Sequence, residues 1–151
     1  METAIFAAGC FWGVQKKFDL TSGVLETNVG YTGGHLDNPS YEDVCFQDTG
    51  HAEAIEIKYD PKIISYKELL DIFWKMHNPT TLNRQGPDIG EQYRSAIFYV
   101  NENQKTLAEE SKKIMNEKIF SNKIVTEITE AKKFYSAEDY HQKYLKKLGK
   151  Y

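Results

Sequence analysis

Cys10 is the side chain with the most chemistry to offer, and it sits in the stretch Gly9-Cys10-Phe11-Trp12-Gly13. The apolar run from Ala4 to Ala8 before it reads as a strand. Phe11, Val14 and Phe18 follow at i, i+3 and i+7, which is a helical spacing. Cys10 therefore falls where a strand turns into a helix, facing free N–H groups and the positive end of the helix dipole. Such a position lowers a thiol's pKa and favours the thiolate, which is the nucleophile. Phe11 and Trp12 offer an aromatic wall beside it. Gly9 and Gly13 leave room for close backbone approach, and Gly13 costs the helix about 1 kcal/mol against Ala. A free cysteine also packs as a small hydrophobe, so this stretch alone leaves catalysis and plain burial level.

An attacking thiol needs an acid or base nearby, and Glu53 is the first candidate. It opens a strand beside Gly50, where a half-buried carboxyl stays protonated near neutral pH and can donate. The competing reading is a rim glutamate facing water, and on the local sequence alone that reading prevails. His51-Ala52-Glu53 has the H-x-E form of zinc deaminases, but that site needs a later Cys-x-x-Cys. The two cysteines, Cys10 and Cys45, both lie upstream, so no metal is expected. Asp88 lies in Gly86-Pro87-Asp88-Ile89-Gly90, a turn composition in which Asp commonly bonds its own backbone. Tyr31, Tyr41 and Tyr93 flank loops, as donors or as half-buried packing. His35, His77 and His141 show no ligand spacing and read as structural. No Gly-x-Gly-x-x-Gly or Walker pattern is present, so no nucleotide is implied.

The elements that must position these residues follow from periodicity and punctuation. Thr21-Ser22-Gly23 stops the first helix and Val24 to Val29 reads as a second strand. Gly30-Tyr31-Thr32-Gly33-Gly34 breaks it, and an irregular stretch runs on to Gly50, long enough to suggest function. Ala52 to Tyr59 alternates as a third strand. Ser65-Tyr66-Lys67-Glu68 is a capping box, with Leu69, Leu70, Ile72, Phe73 and Met76 as the buried face of its helix. A second long loop spans Thr80 to Gln92. Ser95 to Val100 is a fourth strand, and Asn101 and Gln104 cap a charged helix with Leu107, Ile114, Met115 and Ile119 as its apolar residues. Ile124 to Ile128 reads as an edge strand. Ser136 with Asp139 starts a last helix, with Tyr140, Tyr144, Leu145 and Leu148 on one face. The order β-α-β-β-α-β predicts an α+β fold, a ferredoxin-like two-layer α/β sandwich with a C-terminal extension. The long loops and the Cys10 turn must then share an edge for a site to exist.

At 151 residues the chain reads as one catalytic domain, 1–151, with a core large enough to need no staples. Nineteen Lys and Arg against 22 Asp and Glu give a net charge of −3, which offers no electrostatic attraction to nucleic acid or an anionic membrane. No apolar run is long enough to span a bilayer, and no signal peptide is visible. The two cysteines make no disulfide framework and fit a reducing compartment, with the cytoplasm as default.

The motifs together resemble those of the type A peptide methionine sulfoxide reductases. The resemblance begins at Gly9-Cys10-Phe11-Trp12-Gly13 and continues through Gly30-Tyr31-Thr32-Gly33-Gly34, Asn38-Pro39-Ser40-Tyr41, Val44-Cys45 and Gly50-His51-Ala52-Glu53. It extends through Arg84-Gln85-Gly86-Pro87-Asp88 and Gln92-Tyr93-Arg94-Ser95-Ala96-Ile97. It ends on Phe134-Tyr135-Ser136-Ala137-Glu138-Asp139-Tyr140-His141-Gln142. It implies reduction of methionine sulfoxide, free or in protein, of the S epimer at sulfur, as repair of oxidative damage. By the resemblance the nucleophile falls on Cys10, the proton-donating acid on Glu53 and its supporting aspartate on Asp88. Tyr41 and Tyr93 take the tyrosines that bond the sulfoxide oxygen, and Phe11 and Trp12 the cage for the substrate methyl. These roles suit the chemistry, since a sulfoxide oxygen leaves only once protonated, and attack at sulfur needs an acid and aimed donors.

The product on the protein would be a Cys10 sulfenic acid. Many members carry resolving cysteines in a C-terminal tail, and none stands before Gly149-Lys150-Tyr151 here. The expectation is therefore a monomer with no bound cofactor, recycled by an external thiol, either glutathione with glutaredoxin or thioredoxin. Some relatives carry selenocysteine where Cys10 stands. Two other classes share the same features: a thiol peroxidase, which would reduce hydrogen peroxide and ignore the sulfoxide, and a binding module that needs no thiol.

Overall fold

The computed structural model describes residues Met1–Tyr151. In chain order the elements are β1 (Glu2–Ala8), α1 (Phe11–Asp19), β2 (Val24–Thr32), α2 (Tyr41–Phe46), β3 (Ala52–Tyr59), α3 (Tyr66–Met76) and β4 (Arg84–Gln85). They continue with β5 (Asp88–Ile89), β6 (Ser95–Tyr99), α4 (Glu102–Lys118), β7 (Glu127–Glu130), β8 (Tyr135–Ser136) and α5 (Tyr144–Lys147). The large sheet has the order β7-β6-β1-β3-β2-β8. Its central strands β6, β1, β3 and β2 each run antiparallel to their neighbours in that series, the ferredoxin-like arrangement expected from the element order. β7 adds parallel to β6 at one edge and β8 antiparallel to β2 at the other.

Alternation sets the two faces of this sheet. Ala4, Phe6 and Ala8 of β1, Ile55, Ile57 and Tyr59 of β3 and Ile97 of β6 face the helices in one large core. Phe6 is its centre, with ring centroids 5.0 Å from Phe73, 5.9 Å from Phe18 and 6.0 Å from Tyr66. The opposite face is small and alanine-rich (Ala7, Ala52, Ala54, Ala96), which lets the coil around Ala131 and Phe134 lie close without a second helical layer. No helix is long and apolar enough to cross a membrane.

Four local expectations change. The stretch to Gly50 contains α2, whose Ser40 and Asp43 form a reciprocal capping box. The edge strand is β7 rather than Ile124 to Ile128, because the Ile124 and Val125 N–H groups are taken by Asn116 Oδ1 and Pro79 O. On α4 the buried residues are Gln104 and Ala108, whereas Ile114 and Ile119 are exposed. The last helix is broken: Tyr135–Ser136 is strand, Asp139–His141 a single 3-10 turn, and only Tyr144–Lys147 is helical. The break is held by Gln142, whose side chain both accepts from Val29 N and donates to Val29 O, and by left-handed Lys143 (φ 54°), whose N–H donates to Gln15 Oε1.

The glycines flanking Cys10 differ in kind. Gly9 has φ +90°, and a Cβ there would stand 2.8 Å from Gln85 Cγ. Gln85 cannot retreat, because its amide is bonded both ways to the Asn78 backbone. Gly13 is helical, and a Cβ there would meet nothing within 4 Å, so the expected close approach does not occur. Gly9→Ala should therefore lose about 2 kcal/mol of stability, whereas Gly13→Ala should gain up to about 1 kcal/mol. Urea unfolding of both variants checks the pair; equal effects would contradict the assignment.

Candidate active site

Cys10 is the N-cap of α1, at the C-terminal end of β1. Its thiol is held by opposing influences. Burial pushes the pKa up, the Trp12 N–H pulls it down, the charges of Glu53 and Asp88 push again and the Gly13 N–H pulls, leaving it at about 11. This corrects the expectation of an ionised cysteine. The helix end acts as expected, but desolvation outweighs it, and near neutral pH Cys10 rests as a thiol.

Glu53 continues the helix-facing row Tyr59, Ile57, Ile55 by one more alternation, so an acid occupies a core position. It is 1% exposed, which excludes the rim reading. One carboxylate oxygen, Oε1, accepts from Phe11 N at 3.2 Å. The other, Oε2, is buried without a partner. Burial pushes the Glu53 pKa up, the Phe11 N–H opposes and the Asp88 charge adds, bringing it to about 7. Cys10 and Glu53 are thereby tied to adjacent residues, Cys10 in the chain and Glu53 through the Phe11 amide.

Asp88 lies on the small β4–β5 hairpin, and no side-chain bond to its own backbone forms, contrary to the turn reading. Its charge instead bears on Cys10, Glu53 and Tyr93. Tyr93 closes a 3-10 turn, and burial, then the Glu53 charge, pushes its phenol to about 12. Tyr41 opens α2, one turn before Cys45. Burial first, and the neighbouring Cys45 next, pushes its pKa up. Both phenols remain protonated donors. Cys45 is also pushed up, by burial first; the acid that contributes is Glu53 rather than its sequence neighbours Glu42 and Asp43.

The aromatic wall divides unequally. Phe11 is buried, 5.8 Å from the Tyr31 ring and 5.3 Å from that of His141, while Trp12 stays half-exposed. Trp12 stacks on Tyr144 at 3.9 Å between centroids and donates from Nε1 to His141 Nδ1 at 3.0 Å. An indole can only donate, so His141 Nδ1 is unprotonated and the neutral ring carries its hydrogen on Nε2. That buried Nε2 has no partner, and burial pushes the His141 pKa down.

His141 and Glu138 are the residues that spacing did not single out for a role. Glu138 accepts from Tyr31 OH at 3.0 Å and from Tyr41 N at 3.1 Å, so it joins β2 to α2. Both lie in the last motif of the resemblance, which gave them no role; the pairing of β8 with β2 brings them over the site. Two other histidines hold local structure. His51 accepts from Gly34 N and donates to Leu36 O, and His77 bridges Phe73 O and Ser95 Oγ. The result is a thiol, a protonatable acid with one free oxygen and two neutral phenols, beside an aromatic wall. This set suits nucleophilic attack on a centre whose oxygen must be protonated as it leaves.

The chain is similar to known proteins along nearly its whole length. Residues 2–151 match the family model described as peptide methionine sulfoxide reductase. A peptide methionine sulfoxide reductase MsrA of Methanosarcina acetivorans is 58% identical over 150 residues, covering 99% of this chain and 80% of that one. Among solved structures, Mxr1 from Saccharomyces cerevisiae in reduced form superposes with a TM-score of 0.93 at 39% identity, covering 99% of this chain and 87% of that one. The same yeast protein in complex with Trx2 aligns at a TM-score of 0.67 and 28% identity, over 95% of this chain and 84% of that one.

Glu53 also gives the site a pH signature. Its pKa is about 7 when folded against an ordinary 4.5, so between those values the folded state binds more protons and stability falls as pH rises. The cost is absent below the unfolded value and complete above the folded one, on the order of 3 kcal/mol. Glu53→Gln should abolish this component, so the gap between variant and wild type in urea unfolding should widen in the variant's favour across that window. A gap independent of pH would place the titration elsewhere.

Proposed function

This chain belongs to the peptide methionine sulfoxide reductase family, and on that premise we propose a mechanism in which Cys10 attacks the sulfoxide sulfur while Glu53 protonates the departing oxygen. The observation that carries it is Glu53 Oε2, buried and unpartnered on an acid whose pKa of about 7 lets it hold a proton. A sulfoxide oxygen is the strong acceptor that this atom lacks. Tyr41 and Tyr93, kept protonated, supply further donors to the oxygen, and Asp88 keeps Glu53 from ionising early. Trp12, backed by Phe11, receives the S-methyl group. With oxygen and methyl each assigned a place and Cys10 fixing the direction of attack at sulfur, one epimer is selected, and the resemblance makes it the S form.

The protons balance. Glu53 gives its proton to the oxygen and recovers one from the Cys10 thiol as sulfur attacks. Positive character on the protonated sulfoxide favours the thiolate at that moment, which reconciles a resting pKa of about 11 with reaction near neutral pH. The sulfur–sulfur bond made by that attack breaks as the protonated oxygen passes from the substrate sulfur to Cys10, so that Cys10–SH and the sulfoxide become Cys10–SOH and methionine.

Recycling follows a one-cysteine cycle. Cys45, the other thiol in these residues, has its pKa raised by burial and further by the Glu53 charge, which makes it a poor attacker. An external thiol, glutathione with glutaredoxin, then reduces Cys10 in the cytoplasm, with the single catalytic domain acting as a monomer. Thioredoxin is the second candidate, supported by the yeast relative's complex with Trx2, and is best suited to a ready-made disulfide.

The direct test is dithiothreitol-driven reduction of the two resolved epimers. Wild type should consume the S form, and Cys10→Ser neither. Glu53→Gln should slow methionine formation in a single turnover on the order of a hundredfold. Asp88→Ala, Tyr41→Phe and Tyr93→Phe should cost less, since other donors remain; wild-type rates in Glu53→Gln would assign the acid elsewhere. For the cycle, enzyme mixed with substrate but no reductant and trapped with dimedone should carry the adduct on Cys10, with Cys45 free and one methionine per enzyme. A Cys10–Cys45 disulfide would sink the one-cysteine reading.

A further inference from the structure

A groove of about 520 Å³ runs between α1 and α3, and Cys10 lies at one end of it. Its floor is apolar, from Val14, Ile72 and Met76, with the exposed Leu20 at its margin. Its rim carries Lys16 and Lys17 from α1 and Lys75 from α3, and no acidic residue lines it. None of these lysines has an ion-pair partner; the two ion pairs of the chain, Arg94–Glu127 and Lys143–Asp19, lie elsewhere. Gly13 leaves the Cys10 end open. Phe11, Trp12, Tyr41, Glu53, Asp88 and Tyr93 are all outside the lining, so Cys10 is the residue common to this groove and the sulfoxide site.

We propose that this groove receives a small anionic thiol that regenerates Cys10, its sulfur at Cys10 and its carboxylates against Lys16, Lys17 and Lys75. The proposal rests on the sulfenic acid cycle above and names the second substrate of that cycle. Size favours a small molecule, since the volume falls within the roughly 300–1,000 Å³ of ligand pockets, whereas a protein partner needs a patch nearer 800 Å². Spacing agrees, because Lys16 begins about 9 Å along the helix from Cys10, a span that a tripeptide-sized thiol covers. Three uncompensated cations match carboxylates and attract them before contact. In the first step the thiol sulfur bonds to Cys10 sulfur and the sulfenic oxygen leaves as water, giving a mixed disulfide. A second thiol attacks that disulfide, returning Cys10–SH and releasing the oxidised dimer.

The probes are glutathione, oxidised glutathione and their uncharged counterparts. In the first arm, needing no sulfoxide, reduced protein is mixed at mildly alkaline pH with oxidised glutathione or bis(2-hydroxyethyl) disulfide, and Cys10 thiolation is followed by mass spectrometry. In the second, sulfoxide turnover is driven by glutathione or by dithiothreitol. Combined Lys16→Gln, Lys17→Gln and Lys75→Gln should slow both glutathione reactions on the order of tenfold and leave both uncharged reactions within about twofold. Added salt should slow the wild type with glutathione alone. An equal loss with charged and uncharged reagents would reveal a merely structural effect and overturn the proposal, as would no loss at all. A loss confined to recycling by a thioredoxin-type protein would assign the groove to a protein partner and also overturn it. Because the first arm uses no sulfoxide, failure of the reductase mechanism and failure of the groove are read separately.

Discussion

A carboxyl group placed at the end of an apolar row governs this structure. Glu53 follows Tyr59, Ile57 and Ile55 on the helix-facing side of β3, where the next residue by alternation would ordinarily be another hydrophobe. Burying an acid there with one hydrogen bond, from Phe11, costs stability unless the acid keeps its proton. That cost is what gives a glutamate a pKa of about 7 and leaves Oε2 ready to donate. The surrounding elements can be read as what holds this acid beside Cys10: Gly9 turns the chain at the end of β1, and the Phe11 amide fixes the carboxyl.

The site is assembled from segments far apart in the chain. β1 and α1 bring Cys10 and the aromatic pair, α2 brings Tyr41, the β4–β5 hairpin brings Asp88, and the turn after it brings Tyr93. The C-terminal segment then closes over them. β8 pairs with β2, Gln142 imitates a strand partner for Val29, Glu138 ties Tyr31 to Tyr41, and His141 holds Trp12. Below them Asp19 accepts from Thr27, Lys143 and Tyr151, which anchors the end of the chain to α1 and β2. Rigidity at the wall therefore depends on residues more than a hundred positions from Trp12.

Cys10 is the one reactive group with two approaches. On one side it meets an acid and neutral donors suited to an oxygen that must leave; on the other it borders an apolar groove rimmed by cations. The helix N-terminus serves both sides, since the Trp12 and Gly13 N–H groups stabilise negative charge on sulfur whichever reaction is under way.

Periodicity and capping chemistry are local, and they were legible in the sequence. The strand Ala52–Tyr59, the Ser65 capping box and the helix after Cys10 stand where the pattern puts them, and their order implies the ferredoxin-like sheet. The motifs that carry the family resemblance are likewise written in the chain. What sequence could not decide is whatever depends on burial or on distant partners. Cys10's helix position promised a thiolate, but the depth of the site decides for the thiol. Glu53, by its own surroundings in the sequence, read as a rim residue facing water until β1 and β2 closed on either side of it. The last stretch had the spacing of a helix, yet side-chain bonds from Gln142 and Gln15 to distant backbone favoured a broken strap. Helix propensity over a few exposed residues is weak, and buried hydrogen bonds that would otherwise go unmade outweigh it. Local pattern thus set the elements and their order, and desolvation, a property of the assembled fold, set the protonation of the candidate catalytic groups.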